Sequence, residues 1–220
     1  QKSEVVLIFL LLIQSVHKDL GMPQIQDSRY LGGVNEITII TTIKRGRTPE
    51  GVMTYKQRLQ SVLESVLNRE LKGIPTPIRL VQTIHFARWV IWTEPSSGED
   101  KLIFTSNYDG SMWQYLRDFS TLIADDMDRV WNNCVGYPEQ GCRDFDAFWH
   151  YVKAHQVETT AFYAAIPDET LLERQALRRF KLNFDAFMAQ WQADDRLNKG
   201  DDFRKAFDLF VLNNQSYLNS

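Results

Sequence analysis

Several polar side chains of this 220-residue chain interrupt apolar segments and could do chemistry. His85 lies in the run IHFARWVIW and could act as a general base or a ligand, although a hydrogen-bonded structural histidine is the commoner role. Arg88 belongs to the same run, and a buried guanidinium must pair with a carboxylate or face an anion. Asp109 and Asp118 are the expected partners of Arg88. Strand alternation places His85 and Arg88 on opposite faces, so that one of them could enter a pocket.

A second group of polar residues lies at the ends of predicted elements. The sequence NYDG, from Asn107 to Gly110, precedes a predicted helix N-terminus, where backbone N–H groups can hold an anionic group. The same residues are also typical of a simple turn. His155 ends a predicted helix, and Tyr163 lies on the predicted strand that follows. Each could line a site or serve only the fold.

A predicted hairpin and helix must position these residues. Residues 84–92 and 101–108 are rich in branched and aromatic side chains and flank the polar segment TEPSSGED, which predicts two paired central strands. Ser111 with Gln114 three residues later is a capping box. The apolar residues after Ser111 recur at helical spacing as far as Trp131.

The chain before the hairpin predicts a strand and a helix. Residues 36–43 (EITIITTI) are almost all β-branched, which is typical of a strand covered on both faces. Thr48 followed by Pro49 predicts a helix with Thr48 as its cap, and the apolar face continues to about Leu71. Ile78 is predicted to open the strand that leads into the hairpin.

The chain after the hairpin predicts helix, strand and helix. Asp144 is predicted to cap a helix that ends near His155. Residues 159–166 (TTAFYAAI) predict a last strand, and a long amphipathic helix begins at about Thr170.

The order strand, helix, strand, strand, helix, strand is the ferredoxin-like arrangement, an antiparallel sheet with both helices on one face. We assign this α+β domain to residues 36–192. An N-terminal apolar segment with a connector (1–35) precedes it, and a helical tail (193–220) follows.

Both faces of the predicted sheet carry apolar side chains. In residues 84–92 they occupy both parities of the strand, so the face without helices must also be covered. A sheet from a second copy of the chain would cover it, which predicts self-association as a dimeric α+β barrel. The N-terminal run is the alternative cover.

The predicted order of elements resembles the dimeric α+β barrel superfamily, which includes dye-decolourising peroxidases, chlorite dismutases, haem-degrading monooxygenases and cofactor-free monooxygenases. The stretch IHFARWVI with KLIFTSNYDGS is similar to a group of bacterial proteins of this shape. The resemblance covers residues 36–192. In members that hold haem, the axial histidine comes from a helix against the sheet, which implies His155 or His150 for that part and Arg88 as the distal polar group.

Composition and charge narrow the partners. The net charge of -3 and the lack of a long Lys/Arg block argue against nucleic acid. The 12% aromatic content indicates rings that fill a core or line a cavity for an apolar molecule. Cys134 and Cys142 lie in the turn-rich segment NNCVGYPEQGC and could form a disulfide. Without a CxxC pair, metal binding by thiolates is not expected.

The run VVLIFLLLI, which begins at Val5 and ends at Ile13, is shorter than the roughly 20 residues of a membrane span. It predicts a buried segment. The core of a signal peptide is the competing interpretation, but Glu4 precedes the run and no small-residue cleavage site follows it. The expected location is cytoplasmic, with attachment to a membrane surface through this run as the alternative.

The sequence lacks GxGxxG, Walker, HExxH and GxSxG motifs, which argues against nucleotide-dependent enzymes, zincins and α/β-hydrolases. Three hypotheses remain: a haem-dependent, peroxidase-like oxidoreductase; a cofactor-free monooxygenase, isomerase or carrier of an apolar molecule; and a non-catalytic subunit of an assembly. No metal ligands are predicted. The candidate catalytic residues are Arg88, His85, Asp109 and Tyr163, and the candidate cofactor-binding residues are His155, His150 and Asn107.

Overall fold

The computed structural model describes residues 33–166, 169–193 and 200–217. Within these ranges the chain has an antiparallel sheet and six α-helices, which confirms the α+β class. The strands are β1 (Val34–Thr42), β2 (Ile84–Thr93) and β3 (Asp100–Asp109). The helices are α1 (Tyr55–Leu71), α2 (Met112–Leu122), α3 (Ala124–Trp131), α4 (Phe145–His155), α5 (Leu171–Ala193) and α6 (Gly200–Asn213).

The three strands are ordered β1-β3-β2, and both neighbouring pairs are antiparallel. The predicted pairing of β2 with β3 is confirmed by the antiparallel register of the two strands. The turn between them closes through the hydrogen bond from Glu94 N to Glu99 O (2.8 Å). β3 is central as predicted. β2, however, is an edge strand of this sheet, since its only strand neighbour among the described residues is β3.

The predicted strand at residues 159–166 is wrong. This segment is irregular, and just before it Gln156 forms an isolated antiparallel bridge with Ile39 at the free edge of β1. Val157 N donates one further bond to Thr38 O (2.9 Å). Branched and aromatic residues favour strands mainly because they pack on a pleated surface. Here the segment instead leaves the sheet edge and forms the wall of a cavity.

The first helix begins six residues later than Thr48 and Pro49 predicted. Thr54 is the cap: its Oγ1 accepts from Gln57 N (3.2 Å), and Gln57 Oε1 accepts from Thr54 N (2.8 Å). Thr48 N instead donates to Met53 O (2.8 Å) in a turn. The reciprocal capping box at Thr54 satisfies two helix-terminal donors, which the Thr-Pro pair cannot do.

The cap predicted at Ser111 is confirmed, because Ser111 Oγ accepts from Gln114 N (3.2 Å). The second half of the predicted capping box does not form, since the Gln114 side chain donates to Asp118 Oδ1 (2.7 Å) instead. The helix is not continuous to Trp131, since Ile123 has φ -136° and separates α2 from α3. Asp144 caps α4 as predicted, with Oδ1 accepting from Ala147 N (3.2 Å).

The strand predicted from Ile78 begins at Ile84 instead, after a 3-10 turn at Pro77–Leu80.

One face of the sheet packs against the helices and forms the core. Its side chains alternate along each strand, as the period-2 geometry of a strand requires. Phe104 contacts Trp131 edge to face with ring centroids 5.2 Å apart, and Tyr108 stacks on Tyr115 at 4.0 Å. Large buried rings dominate this core. Those with the least exposure are Trp131, Tyr108, Tyr115, Phe104, Phe119 and Phe148.

Both cysteines are buried in this core as free thiols. The disulfide considered for Cys134 and Cys142 therefore does not form. Thr41 Oγ1 donates to Cys134 Sγ (3.2 Å), and burial raises the pKa of Cys134 to about 11. Both side chains behave as small core residues.

The other face of the sheet, which we call the open face, carries large apolar side chains from β2. Phe86 is 70% exposed, Val90 50% and Trp92 42%. Ile40 of β1 and Ile103 of β3 lie half-buried on the same face. No described helix covers the open face at β2.

Helices α5 and α6 pair through an aromatic seam. Phe187 lies at its centre, with ring centroids 4.9 Å from Phe210 and 6.1 Å from Phe203. Among the described residues, no helix is long and apolar enough to cross a membrane. The run from Val5 to Ile13 lies outside the described ranges.

Candidate functional site

The site is built on an irregularity of β2. Ile84 pairs with Tyr108 and Phe86 pairs with Asn107, so His85 is an extra residue with no partner in β3. Such a bulge turns the extra side chain out of the regular alternation. It directs His85 towards the end of β3, where its side chain is only 8% exposed.

Asp109, the last residue of β3, holds the imidazole. Its Oδ1 lies 2.6 Å from His85 Nε2, and its Oδ2 accepts from the backbone N–H of Leu171 (2.7 Å) at the start of α5. Both carboxylate oxygens are therefore engaged, and the Asp109 side chain is also 8% exposed. A carboxylate that accepts two bonds places the ring proton on Nε2 in the neutral imidazole, which leaves a lone pair on Nδ1.

Two further contacts fix the backbone around this pair. Tyr115 Oη donates to Ser106 Oγ (2.7 Å), which in turn donates to Phe86 O (2.9 Å), beside the bulge. Burial raises the pKa of Tyr115, so its hydroxyl stays a donor. Asn35 Nδ2 donates to Gly110 O (2.8 Å) immediately after Asp109. These bonds fix the backbone next to His85 and the backbone next to Asp109.

His85 lines two cavities at the edge of the sheet. The first, which we call the upper cavity, has a volume of about 240 Å³; His85, Asn107 and Arg174 are polar groups in a largely apolar wall. That wall includes Phe86 and residues 162–166. The second, the lower cavity, has a volume of about 480 Å³ and is lined by Ile78, Ile84, Trp89 and Leu171 among others. His85 and Phe86 separate the two.

Three polar groups in the upper cavity keep unused hydrogen-bonding capacity. Among the described residues, neither His85 Nδ1 nor the side-chain amide of Asn107 has a hydrogen-bond partner. Arg174 uses only Nε, which donates to Glu169 Oε2 (3.1 Å). Arg174 is exposed at the cavity, where water can bond these groups, and a bound molecule could replace that water. The arrangement offers a base, an amide and a cation around one apolar space.

The structure brings together four of the seven predicted site residues: His85, Asp109, Asn107 and Tyr163, although Tyr163 is 86% exposed at the cavity mouth. It corrects the predicted role of Arg88. That side chain is exposed on the open face and donates to Thr105 Oγ1 (3.2 Å), so it forms no buried ion pair with Asp109 or Asp118. The reason is that residues facing the helices alternate along β2 with residues on the open face, and Arg88 belongs to the open-face set.

The predicted haem ligands do not meet the predicted distal group. His150 is exposed, and its Nδ1 lies 2.7 Å from Asp146 O. His155 bonds Tyr151 O through Nδ1 (2.8 Å) and packs against the Tyr151 ring. Neither histidine lines the upper or the lower cavity. Their helix packs on the covered face, whereas Arg88 lies on the open face, so these residues do not fit one haem.

Sequence reasoning missed Arg174 and the backbone N–H of Leu171. One signal could have found Arg174: it lies in the first turn of a helix, where a positive charge opposes the helix dipole. Glu169 and Glu173 compensate that charge locally. Leu171 carried no signal, because its role belongs to the backbone.

Comparison with protein-family models, curated proteins and solved structures found no match to this chain. Among the described residues, no group of three or more His, Cys, Asp or Glu side chains could hold a metal ion.

Proposed function

We propose that this protein binds a small, largely apolar molecule at the edge of β2 and that His85 acts on it as a general base. The single observation that carries the proposal is the His85–Asp109 pair. It is fixed at 2.6 Å and nearly excluded from solvent, and His85 lines both the upper and the lower cavity.

Two features support a base rather than a simple structural contact. Asp109 orients the ring and stabilises the imidazolium that forms when Nδ1 takes a proton. His85 also lines both cavities, so a molecule bound in either one lies close to the ring. A cofactor-free isomerase or monooxygenase fits this chemistry, with carriage of an apolar ligand as the alternative.

The test uses 5-nitrobenzisoxazole, a small neutral aromatic probe. A base removes the proton on its C3, the N–O bond breaks, and a coloured cyanophenolate forms. We expect the native protein to accelerate this opening and His85→Gln to lower the rate about 10²-fold or more. His155→Gln is the matched control, because His155 lines neither cavity, and it should react like the native protein. Equal rates for all three proteins would refute the proposal.

We further propose a ferredoxin-like sheet that pairs with a second copy to form a dimeric α+β barrel. Two observations support this: the order β1-β3-β2 with a bridge at Gln156 on the free side of β1, and the exposed apolar side chains of the open face. Light scattering should give twice the mass of one chain. Trp92→Lys should return the monomer mass, whereas Leu182→Lys, on the exposed side of α5, should not. A monomer at micromolar concentration would contradict this assembly.

Haem binding stays a prediction. A Soret band in the purified protein, or one that develops on addition of haemin and is lost in His155→Ala, would support it.

A further inference from the structure

We infer that the ligand of the upper cavity is a small carbonyl compound with an acidic C–H bond and an anionic group, and that the protein catalyses its enolisation or isomerisation. This inference rests on the proposed role of His85 and names the substrate class of the same site. The juxtaposition that carries it is a base, an amide and a cation around one apolar space: His85 Nδ1, the Asn107 amide and the Arg174 guanidinium.

The position of Asn107 suits a carbonyl oxygen. Asn107 lies on the open-face parity of β3 directly opposite Phe86, the residue after His85. Its amide lines the same cavity as His85 and has no hydrogen-bond partner among the described residues. An amide N–H placed where negative charge develops stabilises an enolate more than it stabilises the neutral carbonyl. Asn107 thus stabilises the negative charge on the enolate oxygen, which the base does not do.

The position of Arg174 suits the anionic group. Only Nε of its guanidinium is used by Glu169, and the two terminal nitrogens are left for a carboxylate, which guanidinium binds in a bidentate manner. Arg174 and Asn107 line the same cavity. A ligand bound to both Arg174 and Asn107 would place its acidic C–H bond next to His85.

The size of the upper cavity limits the ligand. A volume of about 240 Å³ lies below the range of roughly 300 to 1,000 Å³ that is usual for ligand pockets. It suits a molecule with one ring or a short chain rather than a polycyclic one. Phe86, Phe162 and Ile166 supply apolar contacts for that ring or chain.

Enolisation and reprotonation need no cofactor. The C–H bond adjacent to the carbonyl breaks, its proton moves to His85 Nδ1, and the electron pair forms the enolate, whose oxygen accepts a hydrogen bond from Asn107. The imidazolium then returns the proton to the same carbon, or to a conjugated carbon, which gives exchange or isomerisation respectively.

Phenylpyruvate is the probe, because it has one ring, a carboxylate and an acidic benzylic C–H. Proton NMR in D₂O follows the loss of its benzylic signal as deuterium enters. We expect exchange by the native protein, about 10²-fold slower exchange in Asn107→Leu, and a KM about 10-fold higher in Arg174→Gln. Arg178→Gln is the control, since it lies one turn further along α5 and lines neither cavity. The uncharged methyl ester should be insensitive to Arg174→Gln.

The outcomes separate the two proposals. If the native protein opens 5-nitrobenzisoxazole through His85 but exchanges no proton of phenylpyruvate or its ester, the base stands and this substrate class is wrong. If Asn107→Leu exchanges as fast as the native protein, its role is refuted. If neither probe reacts, both proposals fail together.

Discussion

Replacement of Asp109 by Asn tests how the carboxylate controls the imidazole. Asp109 accepts from His85 Nε2 and from Leu171 N, at 2.6 and 2.7 Å. An asparagine of the same shape can accept only one of these bonds, because its second terminal atom is an N–H donor. The backbone N–H of Leu171 cannot change, so it retains the oxygen. The amide nitrogen then faces His85.

His85 can adapt by moving its proton to Nδ1, which lets Nε2 accept from the new amide. Two hydrogen bonds to a charged group, at about 1.5 to 3 kcal/mol each, become two neutral bonds at about 0.5 to 1.5 kcal/mol each. The expected loss of unfolding free energy is therefore about 2 kcal/mol. Nδ1 then carries the proton and cannot act as a base, so the opening of 5-nitrobenzisoxazole should slow as much as in His85→Gln, about 10²-fold or more.

Two measurements check this prediction independently. A urea titration gives the change in unfolding free energy, and long-range proton–nitrogen NMR identifies which nitrogen of His85 carries the proton. Asp118→Asn is the control, because Asp118 is half-buried on the helix surface and its side chain bonds only the Gln114 side chain (2.7 Å). This substitution should cost less than about 0.5 kcal/mol. An Asp109→Asn protein with unchanged stability and an unchanged tautomer would refute the reasoning.

The remaining predictions concern the fold. Ser111→Ala removes the cap of α2 and should lower the unfolding free energy by about 1 kcal/mol in a urea titration; no change would contradict the cap. Arg79 holds the pKa of Glu70 at about 2, below its ordinary 4.5. The resulting stabilisation is present above pH 4.5 and is lost as pH falls towards 2, so Glu70→Gln should lose less stability than the native protein over that interval. Cys134 and Cys142 should resist an aromatic disulfide reagent until urea is added, and then yield two thiols; an immediate reaction would contradict their burial.

The sequence alone determined the local features whose signals lie within a few residues. Two runs of branched and aromatic residues around a polar turn specified the β2–β3 hairpin, and Ser111 with Gln114 specified the start of α2. Local chemistry also misled where two signals competed. Thr48 with Pro49 resembled a cap, yet the box at Thr54 satisfies more of the helix-terminal donors.

Composition identified His85, Asp109 and Asn107 as candidates but did not pair them correctly. Regular alternation placed His85 and Arg88 on opposite faces, and the cost of a buried guanidinium suggested Asp109 or Asp118 as a partner for Arg88. The bulge in β2 arises from pairing with β3, a relation between distant residues that no short window contains. It is this bulge that turns His85 to Asp109.

Only the tertiary structure decided what surrounds the pair. Residues 159–166 have the composition of a strand, but whether such a segment becomes one depends on a neighbouring strand that can pair with it. Here it lines the upper cavity with Arg174, and the N–H of Leu171 closes on Asp109 across 62 positions of sequence. A backbone N–H group is not specified by the type of its residue, so the sequence does not show which one will bond Asp109. Contacts of this kind are known only from the folded structure.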